Sequence, residues 1–388
     1  MTDIKKLDLE YVAPTYNRTD LCLEKGKGST CYSLEGKKYI DLGAGIAVNG
    51  FGFCDEEYKN AVIEQLSKLQ HTSNLYYTAP QAKLAELLCI RTGMKKVFFS
   101  NSGAEANECA IKAARKYSSD KYGDGRNVII TLKDSFHGRT LTTISATGQD
   151  NYHTHFGPFT EGFVHAEANN IDELKKLVKE NNCCAVMIEL VQGEGGVNVL
   201  CPQYVKEVEK ICKEEDILLI VDEVQTGNGR TGYLYAFMGY GISPDIVSTA
   251  KGLGGGLPIG ATMFSDKVKD TLSFGTHGST FGGNPVVCAG AYSILSRIDD
   301  KLLDDVKRKS DYIKNELTVA KGVKSITGMG LMLGIETEKE AKEVLNKCLE
   351  RGVIVLTAKT KIRLLPALTI TDEELKEAIR ILKEVIGE

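Results

Sequence analysis

Short apolar runs alternate with longer amphipathic segments through the middle of the chain. The apolar runs are rich in Val, Ile and Phe and have the length of buried strands; they lie at residues 95–100, 127–132, 184–190 and 217–221. Segments with helical spacing follow or separate these runs; they lie at residues 104–117, 172–180 and 204–214. Alternation of this kind predicts an α/β fold with a mostly parallel sheet covered by helices on both faces.

The pattern changes after residue 284. Two helical segments, 286–297 and 304–317, lead into a smaller mixed region that ends in a helix over 372–386, for which Thr371 and Glu374 form a predicted capping box. A short hairpin over 33–40 marks an N-terminal arm that we expect to pack with the C-terminal region. The sequence therefore predicts an arm at 1–45, a large domain at 46–284 and a small α+β domain at 285–388.

Composition excludes several classes of protein. A net charge of −4, with 42% hydrophobic and 26% charged residues, gives no electrostatic basis for binding nucleic acid or an anionic membrane. The first six residues lack the apolar run of a secretory signal, and no segment has the length of a membrane span. The 11 cysteines contain no Cys-x-x-Cys pair, which argues against a disulfide framework or a zinc site. We expect a cytoplasmic protein without a metal.

Asp222 and Lys251 each follow an apolar run, where the carboxyl ends of parallel strands bind ligands. A carboxylate at the end of a buried strand is costly unless a cation pairs with it. For Asp222 alone, a turn or helix-capping role is the simpler interpretation. A lysine with a lowered pKa can form imines with aldehydes, and the glycine-rich loop after Lys251 matches neither the dinucleotide nor the Walker pattern. The two residues together indicate a catalytic lysine more strongly than either alone.

A candidate anion site lies at the start of the helix predicted over 104–117. Ser102 and Gly103 precede that helix and follow an apolar run. Backbone N–H groups at a helix N-terminus are unpaired and carry partial positive charge, which suits a phosphate. An ordinary N-cap explains Ser102 equally well when it is taken alone.

Six blocks of sequence carry a resemblance to a known family. They occur in that family's order; they are NSGAEANE (101–108), FHGRT (136–140), QGEGG (192–196), DEVQTG (222–227), AKGLGGG (250–256) and HGSTFGGNP (277–285). The chain resembles the class III, fold-type I aminotransferases, which use pyridoxal 5′-phosphate (PLP), and the resemblance covers nearly the whole chain. One departure follows Asn49, because the family usually continues with a GHxHP-like run and this chain reads FGFCDEE at 51–57.

The resemblance implies how the large domain binds PLP. Lys251 matches the lysine that holds PLP as an imine and later moves the substrate proton. Asp222 matches the carboxylate that keeps the pyridine nitrogen protonated, so that the ring can accept electrons. Gln225 resembles the partner of the ring's phenolic oxygen, and Phe136 resembles the aromatic stacked on the ring.

The phosphate site implied by the resemblance involves two subunits. Ser102, Gly103 and Ala104 match the phosphate-binding helix start. Thr280 matches a phosphate ligand that the neighbouring subunit donates. The resemblance therefore implies a homodimer with shared active sites.

The resemblance also implies two arginines that bind substrate. Arg139, assisted by Ser279, matches the residue that binds a substrate carboxylate, and an arginine can do so with two parallel hydrogen bonds. Arg363 matches the residue that binds the α-carboxylate of glutamate or 2-oxoglutarate. Glu194 matches a switch that pairs with Arg363 while the other substrate is bound, so that no charge is left unpaired.

The implied reaction transfers an amino group from N-acetylornithine to 2-oxoglutarate. Ornithine δ-aminotransferases carry a tyrosine where this chain has Gly45, and its absence leaves room for an acylated α-nitrogen. Ornithine, succinylornithine and 4-aminobutyrate are the alternative donors, since pocket contacts of a few kcal/mol separate such substrates. A non-catalytic regulatory relative that binds PLP is the alternative of another class; such a protein would be expected to have lost Lys251, Asp222 or Arg363.

Overall fold

The computed structural model describes residues 4–388. Its helices in that range are α1 Ile4–Tyr11, α2 Ala44–Ala47, α3 Glu56–Leu66, α4 Ala79–Thr92, α5 Gly103–Tyr122, α6 Leu141–Ala146, α7 Ile171–Glu180, α8 Pro202–Glu214, α9 Ala236–Tyr240, α10 Pro285–Ser296, α11 Asp300–Thr318, α12 Ala341–Glu350 and α13 Asp372–Gly387. Single 3₁₀ turns span Asp150–Tyr152 and Lys251–Leu253.

The strands are β1 Leu23–Lys27, β2 Thr30–Ser33, β3 Lys38–Asp41, β4 Lys96–Ser100, β5 Val128–Leu132, β6 Phe163–Ala166, β7 Cys183–Ile188, β8 Val191–Gln192, β9 Asn198–Val199, β10 Leu218–Asp222, β11 Ile246–Thr249, β12 Gly260–Phe264, β13 Val323–Met329, β14 Met332–Thr337, β15 Val353–Ile354, β16 Leu356–Ala358 and β17 Lys361–Leu364.

A seven-stranded sheet forms the centre of the fold, in the order β4-β12-β11-β10-β7-β5-β6. The pairs from β11 to β6 are all parallel, and β12 runs antiparallel to both of its neighbours. Every residue of β7 and β10 is buried, as expected for strands covered on both faces. The predicted α/β class is confirmed, while the antiparallel β12 was not anticipated.

The predicted helices of the large sheet are present, with small differences at their ends. Helix α5 begins at Gly103 and continues to Tyr122, five residues beyond the predicted end. The capping box of α13 is also present: the Thr371 hydroxyl accepts from the Glu374 N–H at 3.2 Å, and the Glu374 carboxylate accepts from the Thr371 N–H at 3.2 Å. Local side-chain chemistry therefore fixes this helix start.

The N-terminal strands pack beside the C-terminal part of the chain. Strands β1, β2 and β3 form one sheet with β15, and Val353 of β15 pairs in parallel with Ile40 of β3. The first three residues of the predicted arm lie outside the described residues. Helix α10 packs against α3 and α4, and its Cys288 and Ala291 belong to the apolar core around the central sheet. The division at residues 45 and 284 stays a prediction.

The segment 51–57, which departs from the family pattern, is held in place by Arg297, which directly follows α10. Asp55 caps α3 by accepting from the Tyr58 N–H at 2.9 Å. Arg297, just after α10, donates to both Asp55 oxygens at 2.6 and 3.1 Å, and its guanidinium lies 4.3 Å from the Phe51 ring centre. Asp55, Arg297 and Phe51 together give α3 a defined start without the usual histidines.

Between residues 4 and 388, no helix combines the length and apolar character that crossing a bilayer requires.

Candidate active site

A cavity of about 470 Å³ opens at the carboxyl edge of the central sheet. That volume lies within the usual range for small-molecule sites. Its walls come from the end of β10, the turn after β11, the start of α5 and the loop after β5. Eight residues predicted from the sequence line it: Ser102, Gly103, Ala104, Phe136, Arg139, Asp222, Gln225 and Lys251.

Asp222 lies at the end of β10 with 3% of its surface exposed. Its Oδ2 accepts from Asn107 Nδ2 at 2.7 Å and lies 2.8 Å from His137 Nδ1, and its Oδ1 accepts from the Val224 N–H at 3.0 Å. Among residues 4–388, His137 Nε2 is buried without a hydrogen-bond partner. Asn107, His137 and the Val224 N–H therefore hold the carboxylate at the cavity wall, where it is available to pair with a cation.

Lys251 begins the turn after β11 and faces the cavity. Burial lowers the pKa of its amine, and the Glu194 charge opposes that effect without cancelling it. A lowered pKa increases the fraction of free amine, the form that attacks a carbonyl carbon. Its φ of 45° lies in the left-handed region, which is strained for a lysine and typical of functional sites.

The start of α5 fits an anionic group. Ser102 is the N-cap, and its hydroxyl accepts from the Glu105 N–H at 3.2 Å. The first N–H groups of the helix have no intrahelical partners, and the residues that begin it, Gly103 and Ala104, line the cavity. A Cβ on Gly103 would lie 2.7 Å from Val224 Cγ1, so only glycine fits between helix and cavity wall.

Arg363 and Glu194 form an ion pair beside the cavity. Arg363 Nη1 lies 2.6 Å from Glu194 Oε1, and the arginine side chain is 4% exposed. The same nitrogen lies 3.3 Å from the Gly193 oxygen and 3.3 Å from Gln225 Oε1. Burial raises the pKa of Glu194, but the charge and hydrogen bond of Arg363, together with the Lys251 charge and the Gln225 hydrogen bond, outweigh it and hold that pKa below its usual value. Gln225 connects this pair to the cavity wall.

The other predicted substrate and phosphate residues lie differently. Arg139 is exposed on the cavity wall. Ser279 accepts from Asn101 Nδ2 at 3.2 Å, which places its segment next to the start of α5. Thr280 is exposed and does not line the cavity of its own chain.

Comparison with known proteins identifies the family of this chain. The family model described as Aminotransferase class-III matches residues 11–386. The chain belongs to the class-III aminotransferases. Among the relatives of this class-III chain is an acetylornithine aminotransferase of Haemophilus ducreyi, which is 51% identical over 387 residues, or 99% of this chain and 98% of that protein. A succinylornithine transaminase of Photorhabdus laumondii is 42% identical over 97% of this chain and 96% of that protein.

Solved structures of class-III aminotransferases superpose closely. The ornithine aminotransferase of Toxoplasma gondii matches with a TM-score of 0.93 at 33% identity, over 99% of this chain and 94% of that one. The N-acetylornithine aminotransferase of Stenotrophomonas maltophilia matches with a TM-score of 0.84 at 35% identity, over 98% of both chains. The central sheet with its helices is thus the fold of PLP-dependent aminotransferases.

Three polar residues of this class-III site were missed by the sequence analysis. Asn107 and His137 contact Asp222, and both lie inside blocks that the family resemblance had already picked out. Glu189 lines the cavity, and its Oε2 accepts from the Phe136 N–H at 2.8 Å. Burial, reinforced by the nearby Asp222 charge, raises the pKa of Glu189 well above its ordinary value. Glu189 directly follows β7, whereas Asp222 is the last residue of β10, and this position at the end of a buried strand was the available signal.

Proposed function

We propose that this chain transfers the δ-amino group of N-acetyl-L-ornithine to 2-oxoglutarate with PLP as cofactor. The products are N-acetyl-L-glutamate 5-semialdehyde and L-glutamate, a step of arginine biosynthesis. The observation that carries the proposal is one cavity that joins Lys251, Asp222 and the start of α5 to Arg139 and, through Gln225, to Arg363.

The residues present fit PLP. The hydrogen bonds around Asp222 hold its carboxylate at the cavity wall, where it would pair with a protonated ring nitrogen. Gly103 lets the helix start lie close to Val224, because a Cβ there would come within 2.7 Å of Val224 Cγ1. This close packing leaves room for a phosphate at the helix start. Lys251 supplies an amine with a lowered pKa in the same cavity. When bound, PLP supplies a ring that accepts the electron pair left by proton loss from the substrate.

The side chains then have distinct tasks. Lys251 would hold PLP through its amine and, once released, move a proton at the substrate carbon. Asp222 would keep the ring nitrogen protonated, and Gln225 would face the phenolic oxygen. Phe136 would cover one face of the ring, since its backbone is fixed by Glu189. Ser102, Gly103 and Ala104 would bind the phosphate through the helix start.

Two arginines would let one pocket accept two substrates. Arg139, with Ser279 near it, would bind the carboxylate of the amino donor. Arg363 would bind the α-carboxylate of glutamate or 2-oxoglutarate, and this carboxylate would replace Glu194. While the donor is bound, Glu194 would keep the buried guanidinium paired, which avoids the cost of an isolated charge.

The conformation of the short helix α2 supports the proposed preference for an acylated donor. Gly45 lies there with φ of 61°, between other residues of positive φ, and Val48 just after the turn lines the cavity. A glycine leaves space where a bulkier side chain would face an acylated α-nitrogen. Relatives named acetylornithine aminotransferase, at 51% to 41% identity, support this donor.

We also propose a homodimer with shared active sites in the cytoplasm. Thr280 is exposed next to Ser279 and does not line the cavity of its own chain, which supports a role for it in the cavity of a second subunit. The adjacent Phe281 and the nearby Phe274 are exposed at 61% and 107%, and a subunit contact would cover them. All 11 cysteines are free thiols, which fits a reducing compartment.

A donor panel with 2-oxoglutarate tests the function. N-acetylornithine should give a higher kcat/KM than ornithine, succinylornithine or 4-aminobutyrate, measured by glutamate formation. The Lys251→Ala variant is the matched control and should form no glutamate. A higher kcat/KM with succinylornithine, the substrate in the name of a 42% identical relative, would change the donor and leave the reaction class intact. No transamination of any of the four donors would overturn the proposal.

A further inference from the structure

We propose that Tyr152 is the positioning residue for the Arg139 guanidinium: it holds the flat face of this group and leaves its N–H edges free for a substrate carboxylate. The inference rests on the proposed function, in which Arg139 binds the carboxylate of the amino donor. It adds a second residue, outside the family blocks, on which recognition of that carboxylate depends.

The geometry is that of a cation held over an aromatic ring. The guanidinium carbon of Arg139 lies 4.2 Å from the Tyr152 ring centre and 5.8 Å from the Phe136 ring centre. Both distances fall within the range of cation–π attraction. The five N–H donors of a guanidinium lie in its plane, so a ring against the face occupies none of them. Across residues 4–388, Arg139 makes neither an ion pair nor a hydrogen bond that would use them.

The two arginines of the site are therefore held in opposite ways. Arg363 is paired with Glu194 at 2.6 Å, so a substrate must displace a carboxylate to reach it. Among residues 4–388, no carboxylate pairs with Arg139, so a substrate carboxylate binds it without displacing one. Tyr152 takes the structural place that an acidic residue would otherwise occupy.

Tyr152 is itself tied to the cavity wall. Its ring meets the Phe136 ring edge to face, with ring centres 5.5 Å apart and planes at 66°. Its N–H donates to the Gln149 oxygen at 3.0 Å, and Gln149 Nε2 donates to the Ser135 oxygen at 3.0 Å. The turn that carries Tyr152 is thus tied to the segment that carries Phe136.

This arrangement reduces the entropy that binding must overcome. A free arginine side chain samples many rotamers, and fixing it on substrate binding weakens affinity. The ring contact fixes the guanidinium before the substrate arrives. Loss of the ring should weaken binding only of ligands that carry the carboxylate.

The kinetic test compares two donors that differ by that carboxylate, N-acetyl-L-ornithine and N-acetyl-1,4-diaminobutane. In the holoenzyme, Tyr152→Leu should raise KM for N-acetylornithine by about threefold to tenfold, the range expected from losing a partly exposed cation–π contact. Its kcat/KM for the carboxylate-free donor should change by less than about twofold. Tyr152→Phe, which keeps the ring, should restore the low KM. Tyr122→Leu is the control, because it removes an Arg126–Tyr122 stack at 4.3 Å at the far end of α5.

A binding test needs no turnover. The chain contains no tryptophan, so Tyr152→Trp places a single fluorescent reporter against Arg139 while keeping an aromatic face. N-acetyl-L-norvaline, which keeps the carboxylate and lacks the reacting amine, should change this fluorescence saturably. The change should disappear when Arg139→Leu is added.

The two tests separate this inference from the function on which it rests. If N-acetylornithine is not a donor but N-acetylnorvaline still gives the Arg139-dependent signal, the proposed function fails and the role of Tyr152 stands. The inference is overturned if the signal is absent or independent of Arg139. It is also overturned if Tyr152→Leu slows both donors equally, because that result would indicate a general structural role.

Discussion

Glu194→Gln should separate the two halves of the proposed reaction. Glu194 Oε1 lies 2.6 Å from Arg363 Nη1, and the arginine is almost fully buried. The substitution keeps the shape of the side chain and removes its charge. Glutamate would no longer have to displace a carboxylate, whereas N-acetylornithine would bind beside an unpaired buried guanidinium.

The size of the effect follows from the geometry. Two unit charges at 2.6 Å interact by about 6 kcal/mol at an effective dielectric constant of about 20. The Glu194 side chain is 24% exposed, and the cost of removing its carboxylate from water offsets much of this attraction. The expected net energy is therefore at the lower end of measured coupling energies for close charge pairs, about 2 kcal/mol. That energy corresponds to about a thirtyfold change in the ratio of the two half-reactions.

Stopped-flow absorbance of the bound cofactor measures each half-reaction in a single turnover. The ratio of kcat/KM for glutamate to that for N-acetylornithine should rise by about thirtyfold in Glu194→Gln. Glu343→Gln, which removes a charge from the exposed Glu343–Lys347 pair on α12, should leave the ratio unchanged. Equal changes in both half-reactions would refute the reasoning, because a switch must act on the two substrates in opposite directions.

Three further predictions concern the residues proposed to bind PLP. Asp222→Ala should retain bound PLP, seen by absorbance, while kcat falls by about a hundredfold or more, the size expected on losing an aimed electrostatic group; near-normal kcat would contradict the assignment. Gly103→Ala should weaken PLP binding in equilibrium dialysis by about tenfold, because its methyl group would lie 2.7 Å from Val224 Cγ1 and crowding of this kind costs about 1–3 kcal/mol; unchanged affinity would show that the helix start can shift. Burial lowers the Lys251 pKa and the Glu194 charge raises it, so Glu194→Gln should lower this pKa further. The free amine, which predominates above the pKa, is the reactive form, so PLP uptake by the apoenzyme should begin to rise at a lower pH in this variant. A shift of that rise to higher pH would contradict the prediction.

Much of the fold was predictable because its signals are local. The strands that became β4, β5, β7 and β10 were visible as apolar runs, and all are found within two residues of the predicted ends. Strand β12 was not predicted because its five residues, which begin with Gly260, give no distinct pattern. Its antiparallel direction depends on the path of the chain after the glycine-rich loop. The buried Glu189 was passed over because no spacing rule separates it from a turn residue.

The sequence by itself determined the fold class and picked out the candidate site residues, with Lys251 as the predicted cofactor lysine, since strand periodicity and motif blocks are properties of neighbouring residues. Tertiary structure decided which of these residues meet. It brings Arg363 into an ion pair with Glu194, 169 positions away in sequence, and Asn107 into a hydrogen bond with Asp222, 115 positions away. It also brings the Tyr152 ring against the Arg139 guanidinium. These contacts depend on directions and distances of a few ångströms, because hydrogen bonds and charge pairs act only at close range. The lysine and its aspartate could be found by reading along the chain, whereas the two opposite ways of holding an arginine could be found only in three dimensions.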